Sequence, residues 1–206
     1  MIYEVRSYRL KPRGVPGFLD AFGEAYEKRK EFSPLSAMLY TEVGPLNEVI
    51  HIWPYADAAE RDRVRAESVK AGAWPPKVTD FIQDMKSETF VPFPFVGDFG
   101  TGALGPLFEW REYIINPGMM PGVMKGWEEA IEERRKASPL VIAMHTDTGV
   151  LNKYVHIWGY KSFEHRAEVR TDMMKRGLWP PKGSPKGGLR YQDNKLCLAA
   201  SFSPLQ

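Results

Sequence analysis

GPLNEVIHIWPY (44–55) and GVLNKYVHIWGY (149–160) are one segment written twice, 105 positions apart. Each opens on turn formers, with a glycine first and an asparagine fourth, and asparagine tolerates the left-handed backbone such a turn needs. Each then alternates, Ile50 and Ile52 against His51 and Trp53, with the two-residue period of a strand. The same offset aligns residues 3–77 with 108–182 without a gap, and more than a third of the pairs are identical. Past Lys77 and Lys182 the second copy carries four extra residues around Gly183–Gly188, after which Gln83-Asp84 falls on Gln192-Asp193. Self-similarity on this scale means a duplicated unit of about 100 residues, the size of a small domain.

Outward from that segment each copy reads β-α-β-β-α-β. Tyr3–Leu10 alternates as a strand that Pro12 stops. Phe18, Leu19, Phe22, Ala25 and Tyr26 recur at helical spacing, matched by Val123, Met124, Trp127, Ala130 and Ile131. Leu35–Glu42 is predicted as the strand that makes a hairpin with 48–55. Asp57 and Ser162 stand where an N-cap belongs, ahead of a second helix over 58–71 and its copy. Terminal strands are predicted at Glu88–Val91 and Leu196–Ala200. This is the ferredoxin-like order. The fold class is therefore α+β, with tandem ferredoxin-like units at 1–95 and 108–206 and a Gly/Pro-rich linker at 96–107. A sheet with both helices on one face leaves the other bare, and the second copy is the simplest cover. The units are expected to close into an intrachain α/β barrel, a pseudo-dimer within one chain.

Side-chain alternation nominates a site. Glu4, Arg6 and Tyr8 share one face of the first strand, and Glu109, Arg111 and Tyr113 repeat them. His51 and Trp53 share a face of the third strand, repeated as His156 and Trp158. Ile50 and Ile52 suit the helix-covered side, so the polar set is expected to point into the barrel. Two readings stand for each residue. His51 and His156 are general-base candidates, because imidazole titrates near neutrality, or histidines satisfied in the core by Glu4 or Tyr8. Arg6 and Arg111 either clamp a carboxylate or enolate or pair with Glu4 and Glu109. Tyr8 and Tyr113 are candidate proton donors. Trp53 and Trp158 either line a ligand pocket, together with Glu4 and Glu109, or pack the core. Tyr40 and Met38 become His145 and Ala143 in the second copy, which nominates that copy as the more open pocket and His145 as a ligand contact. Lys28, Arg29 and Lys30, between two glutamates, read as a solvated helix face. Arg61, Arg65, Trp74 and their copies are expected outside the barrel, where Trp and Arg favour interfaces, and a homodimer is expected from them.

The two quoted segments, the first-strand pattern YEVRSYRLKP and the Arg61 and Arg166 of the second helices resemble the NIPSNAP family. The resemblance covers both repeats and so nearly the whole chain. It implies the dimeric α/β-barrel superfamily, in which two ferredoxin-like units enclose a ligand cavity. That superfamily includes cofactor-free monooxygenases, lactone isomerases, dye-decolourising peroxidases and chlorite dismutases. The resemblance implies a small polar or aromatic ligand, with His51 or His156 as base, Arg6 or Arg111 as anion stabiliser and Tyr8 or Tyr113 as proton donor. It also implies an alternative, since vertebrate members are described as mitochondrial and interaction proteins. In that case the outer helices matter more than the cavity.

Composition narrows the rest. The 28 basic and 26 acidic residues leave a net charge of +2, without the basic patch that nucleic acid or an anionic membrane requires. No apolar run approaches the ~20 residues that span a bilayer. The single Cys197 precludes an intrachain disulfide and a cysteine metal cluster. The opening MIYEVRSYRLKP has no apolar signal core, so the expected location is the cytoplasm. H-E-x-x-H, C-x-x-C, the P-loop and G-x-S-x-G are all absent. Gly100-Thr101-Gly102 precedes no predicted helix. His165, on the second helix of the second copy, is replaced by Glu60 in the first, so neither haem nor another metal is expected, and no cofactor.

Overall fold

In a computed structural model spanning Met1–Gln206, the first unit runs β1 (Ile2–Leu10), α1 (Val15–Arg29), β2 (Ala37–Val43), β3 (Glu48–Tyr55), α2 (Ala58–Lys70) and β4 (Ile82–Pro92). The second repeats it as β5 (Leu107–Ile115), α3 (Met120–Arg135), β6 (Leu140–Thr148), β7 (Lys153–Tyr160), α4 (Phe163–Lys175) and β8 (Leu189–Ala199). Local chemistry sets these boundaries. Asn47 and Asn152 adopt φ of 56° and 57° in the hairpin turns. Asp57 Oδ1 accepts a hydrogen bond from the Glu60 amide at 2.9 Å, and Ser162 Oγ accepts one from the His165 amide at 3.2 Å. His165 Nδ1 reaches back to accept from the amide of Lys161, the residue before the cap, at 3.1 Å. No helix is long and apolar enough to cross a membrane.

The first strand of each unit is central: β1 pairs with β3 and β4, and β5 with β7 and β8. The units then exchange edges, β2 onto β8 and β4 onto β6. The result is a closed antiparallel barrel in the order β1-β3-β2-β8-β5-β7-β6-β4. Closure removes the unpaired edges that either unit would carry alone. The connecting segment brings Phe99 onto Tyr3, with ring centres 5.5 Å apart. The terminal strands begin at Ile82 and Leu189, earlier than the apolar pattern predicts. Residues 83–87 and 190–194 are exposed, and the ladders with β1 and β5 hold them extended. A ladder of backbone bonds leaves no hydrophobic period to read.

One expectation about the barrel is overturned. Glu4, Arg6, Tyr8, His51, Trp53 and their copies do not face the lumen; they face the helices. Phe18 of α1 meets the Tyr8 ring at 6.1 Å, Phe22 meets His51 at 5.1 Å, and Tyr26 meets Trp53 at 6.1 Å. The opposite set, including Val5, Ile50, Ile52, Phe108, Trp110, Val155 and Ile157, fills the interior and is buried throughout. The physical reason is space. An eight-stranded barrel is just wide enough for its inward side chains to fill it, so apolar side chains pack most of the lumen. The Glu-Arg-Tyr and His-Trp sets lie between sheet and helices.

Candidate functional site

On β1 and β5 the motif Glu-x-Arg-x-Tyr puts three side chains on one face at two-residue intervals. They bond in sequence. Arg6 Nε donates to the Tyr8 hydroxyl at 2.7 Å and Nη1 to Glu4 at 3.2 Å; Arg111 makes the same bonds to Tyr113 at 2.6 Å and Glu109 at 2.7 Å. The neighbouring strands carry the histidine and tryptophan. Trp53 Nε1 donates to His51 Nδ1 at 2.7 Å, and Trp158 Nε1 to His156 Nδ1 at 2.7 Å. In both histidines Nε2 is buried and has no protein partner. Burial drives both imidazoles well below the usual histidine pKa, and nearby guanidinium groups, Arg6 and Arg111 first among them, push the same way. Each ring is neutral, with Nδ1 accepting, so its proton sits on Nε2. The free nitrogen is therefore a donor, and the arrangement does not offer it as a base.

The second helices complete the charge pattern. Arg61 and Arg65 turn inward to Glu4 at 2.8 and 3.2 Å, and Arg166 and Arg170 to Glu109 at 2.6 and 3.7 Å. Trp74 packs edge-on against Phe22 and Trp53. The Arg–Trp set from which a homodimer was expected thus makes contacts within the chain while staying partly exposed. Burial raises the Glu109 carboxyl, but Arg166, Arg111 and Arg170 together more than reverse this and hold it below the ordinary range; Glu4 behaves likewise with Arg65, Arg6 and Arg61.

A further arginine joins each cluster. Arg29 is 2% exposed, stacks over Trp53 at 4.5 Å and donates to the Tyr55 hydroxyl at 3.1 Å. Arg134 does the same over Trp158 at 3.9 Å and to Tyr160 at 2.9 Å. The basic run around Arg29 is therefore not wholly a solvated face. The duplication held the signal: Lys28 and Lys30 become Glu133 and Arg135, while Arg29 alone is retained.

The two copies differ in their space. In the second, a cavity of about 260 Å³ is lined by Glu109, Arg111, Tyr113, Arg134, His156 and Arg170, with Trp158 and Trp179. A second lobe of about 290 Å³ shares Tyr113, His156 and Trp179 with it and runs on past Trp127, Tyr154 and Val123 to Pro185. His156 stands where the lobes meet. In the first copy Phe18, with no exposed surface, takes the place of Val123. The Phe81 ring covers Gly17 where Pro185 covers Gly122 in the second copy. The extra residues around Gly183–Gly188 thus form a wall that the first copy lacks. His145 packs against Phe93 at 6.2 Å and does not line either lobe; the opening comes from Val123 and the inserted loop rather than from Ala143.

Comparison with known proteins agrees with this architecture. The NIPSNAP family model matches residues 3–96 and 108–204. A Dictyostelium discoideum NipSnap homolog is 32% identical over 180 residues, 86% of this chain and 78% of that protein. Human NipSnap homolog 3B is 26% identical over 228 residues, 99% of this chain and 85% of that protein. Among solved structures, a Lactobacillus acidophilus NCFM protein that goes under the name of monooxygenase superposes with a TM-score of 0.71, covering 97% of this chain and 94% of that one. At 11% identity the likeness is one of fold.

Proposed function

The chain belongs to the NIPSNAP family, and we propose that its second repeat binds a small aromatic or otherwise planar anion in the cleft between sheet and helices. The observation that carries this reading is the convergence of guanidinium donors on one carboxylate. Arg111, Arg134 and Arg170 line one lobe with a single carboxylate, Glu109, which is already saturated. Tyr113 accepts from Arg111, which leaves its own proton to give, and the buried Nε2–H of His156 has no protein partner. An uncompensated positive, partly desolvated pocket favours an anion. Trp127, Tyr154 and Trp179 of the second lobe supply flat apolar walls for a ring.

The same donors suit an enolate or phenolate, the charge that lactone isomerisation and cofactor-free oxygenation must stabilise. In that chemistry His156 is an oxyanion donor rather than the base. Glu109, held ionised by three guanidinium groups, is a weak base, so the donors suit a substrate that enters already ionised.

Titration calorimetry with benzoate and 4-hydroxybenzoate, set against their uncharged amides, tests the proposal. The carboxylates should bind at least about tenfold more tightly, the size of one charge-assisted hydrogen bond. Arg170→Met and His156→Gln should each remove a similar factor while the melting temperature stays within a few degrees. Equal binding of the amides sinks the reading. A large loss of stability in His156→Gln without a ligand effect makes it a core histidine.

A further inference from the structure

The lumen-facing side chains are apolar along most of the barrel and charged at one end. At that end a cavity of about 150 Å³ opens among Ser7, Lys86, Trp110, Glu112, Asp193 and Lys195, room for roughly five waters or a molecule of that bulk. It lies on the opposite face of the sheet from the helix-side cleft and shares no residue with either lobe. Most of its charges are committed. Lys195 pairs with Glu48, Lys86 pairs with Glu88 at 2.9 Å, and the fully buried Lys153 pairs with Glu88 and, at 3.5 Å, with Glu112.

What is left over is specific. Trp110 is 2% exposed, and its indole N–H has no acceptor, although a buried indole normally finds one. The Lys195 ammonium lies 5.8 Å from the Trp110 ring centre and spends only one partner's worth of its three protons, on Glu48. Asp193 takes part in no ion pair and accepts only the amide of Asn194, at 2.8 Å. Glu112 is bound only to Lys153, at 3.5 Å. Duplication explains Asp193 and Lys195, which repeat Asp84 and Lys86, but not the rest. Trp110 and Glu112 stand where the first copy has Val5 and Ser7, and Lys153 where it has Glu48. The helix-side ladder is identical in both copies, whereas this end of the lumen has become a single, asymmetric site.

We infer that the charged end of the lumen binds a small zwitterion, an α-amino acid or a short ω-amino acid. Its carboxylate accepts from Trp110 Nε1–H and the free protons of Lys195, and its ammonium lies against Asp193 and Glu112. A simple anion would meet Glu48, Glu112 and Asp193, and a simple cation would meet Lys86 and Lys195. A molecule carrying both signs within a few atoms answers both sets.

The test uses the full chain labelled with ¹⁵N at its six tryptophans, the Trp110 indole resonance being assigned through Trp110→Phe. Glycine and β-alanine should shift that resonance and saturate, at least tenfold more tightly than acetate or methylammonium. Asp193→Asn, a change at an exposed position, should weaken the effect at least tenfold with an unaltered melting temperature. Benzoate, the probe of the helix-side cleft, should leave the Trp110 resonance in place. The inference is overturned if the resonance does not move at tens of millimolar zwitterion, if acetate moves it equally well, or if Asp193→Asn changes nothing.

Discussion

With the indole N–H of Trp158 at 2.7 Å from Nδ1, a neutral His156 carries its proton on Nε2, and burial beside Arg111 keeps the ring neutral. His51 is held in the same way by Trp53. This has a consequence for acid stability. An unfolded histidine titrates near pH 6.5, and both folded ones titrate well below that. Below about pH 6.5 the unfolded chain therefore binds more protons than the native one, and stability falls as pH falls. Glu4 and Glu109, also depressed in the fold, act in the same direction, their contribution being lost at pH below the ordinary carboxylate range of about 4.3. Two histidines at about 1.4 kcal/mol per pH unit each should lower the melting temperature by about 5 °C or more per unit below pH 6. The double variant His51→Asn/His156→Asn should flatten that slope between pH 7 and 5. A wild-type protein whose melting temperature is level over that range contradicts the assignment.

Between elements, the asymmetry of the two clefts rests on how each first helix is covered. Glycines on α1 and α3 allow close approach. A Cβ at Gly17 would lie 2.7 Å from the Phe81 ring, one at Gly122 2.7 Å from Pro185, and one at Gly126 2.6 Å from the Ser184 amide. In the first unit a phenylalanine presses onto the helix and Phe18 fills the gap beneath it. In the second, the inserted loop lies on the helix and Val123 leaves the gap open. Val123→Phe imposes the first unit's solution on the second. Benzoate affinity should drop at least about tenfold, the scale of one lost pocket interaction, while the overall fold is retained because the void accepts the ring. Unchanged affinity would show that the second lobe is not part of the ligand site.

For the whole molecule, each unit supplies both its own sheet and an edge to the other. The pairings β2–β8 and β4–β6 cross between units, and Val5, Ile50 and Ile52 of the first share one core with Phe108, Trp110 and Ile157 of the second. Neither half can open without stripping an edge and half the lumen from its partner. Unfolding should be a single transition whose calorimetric and van't Hoff enthalpies agree. Phe108→Ala, a fully buried lumen change, should lower the stability of both halves together by about 3–5 kcal/mol. Two resolved transitions, or a Phe108→Ala effect confined to one half, would contradict this coupling.

The duplication, the order of elements, the left-handed asparagines, the Asp57 and Ser162 caps and the paired His and Trp are all legible in the chain, because each is set by residues within a few positions of one another or by direct self-comparison. Which strand face meets the helices was not legible. Alternation separates two faces, but in a closed barrel both are buried: the Ile50 face against the other unit, the His51 face against α1. Local periodicity cannot rank two buried faces. The inward turn of Arg29, the commitment of Arg61 and Arg65 to Glu4, and the opening of one cleft were likewise decided in three dimensions. Each depends on a partner tens of residues away, and only closure of the barrel and the docking of four helices around it brought those partners together.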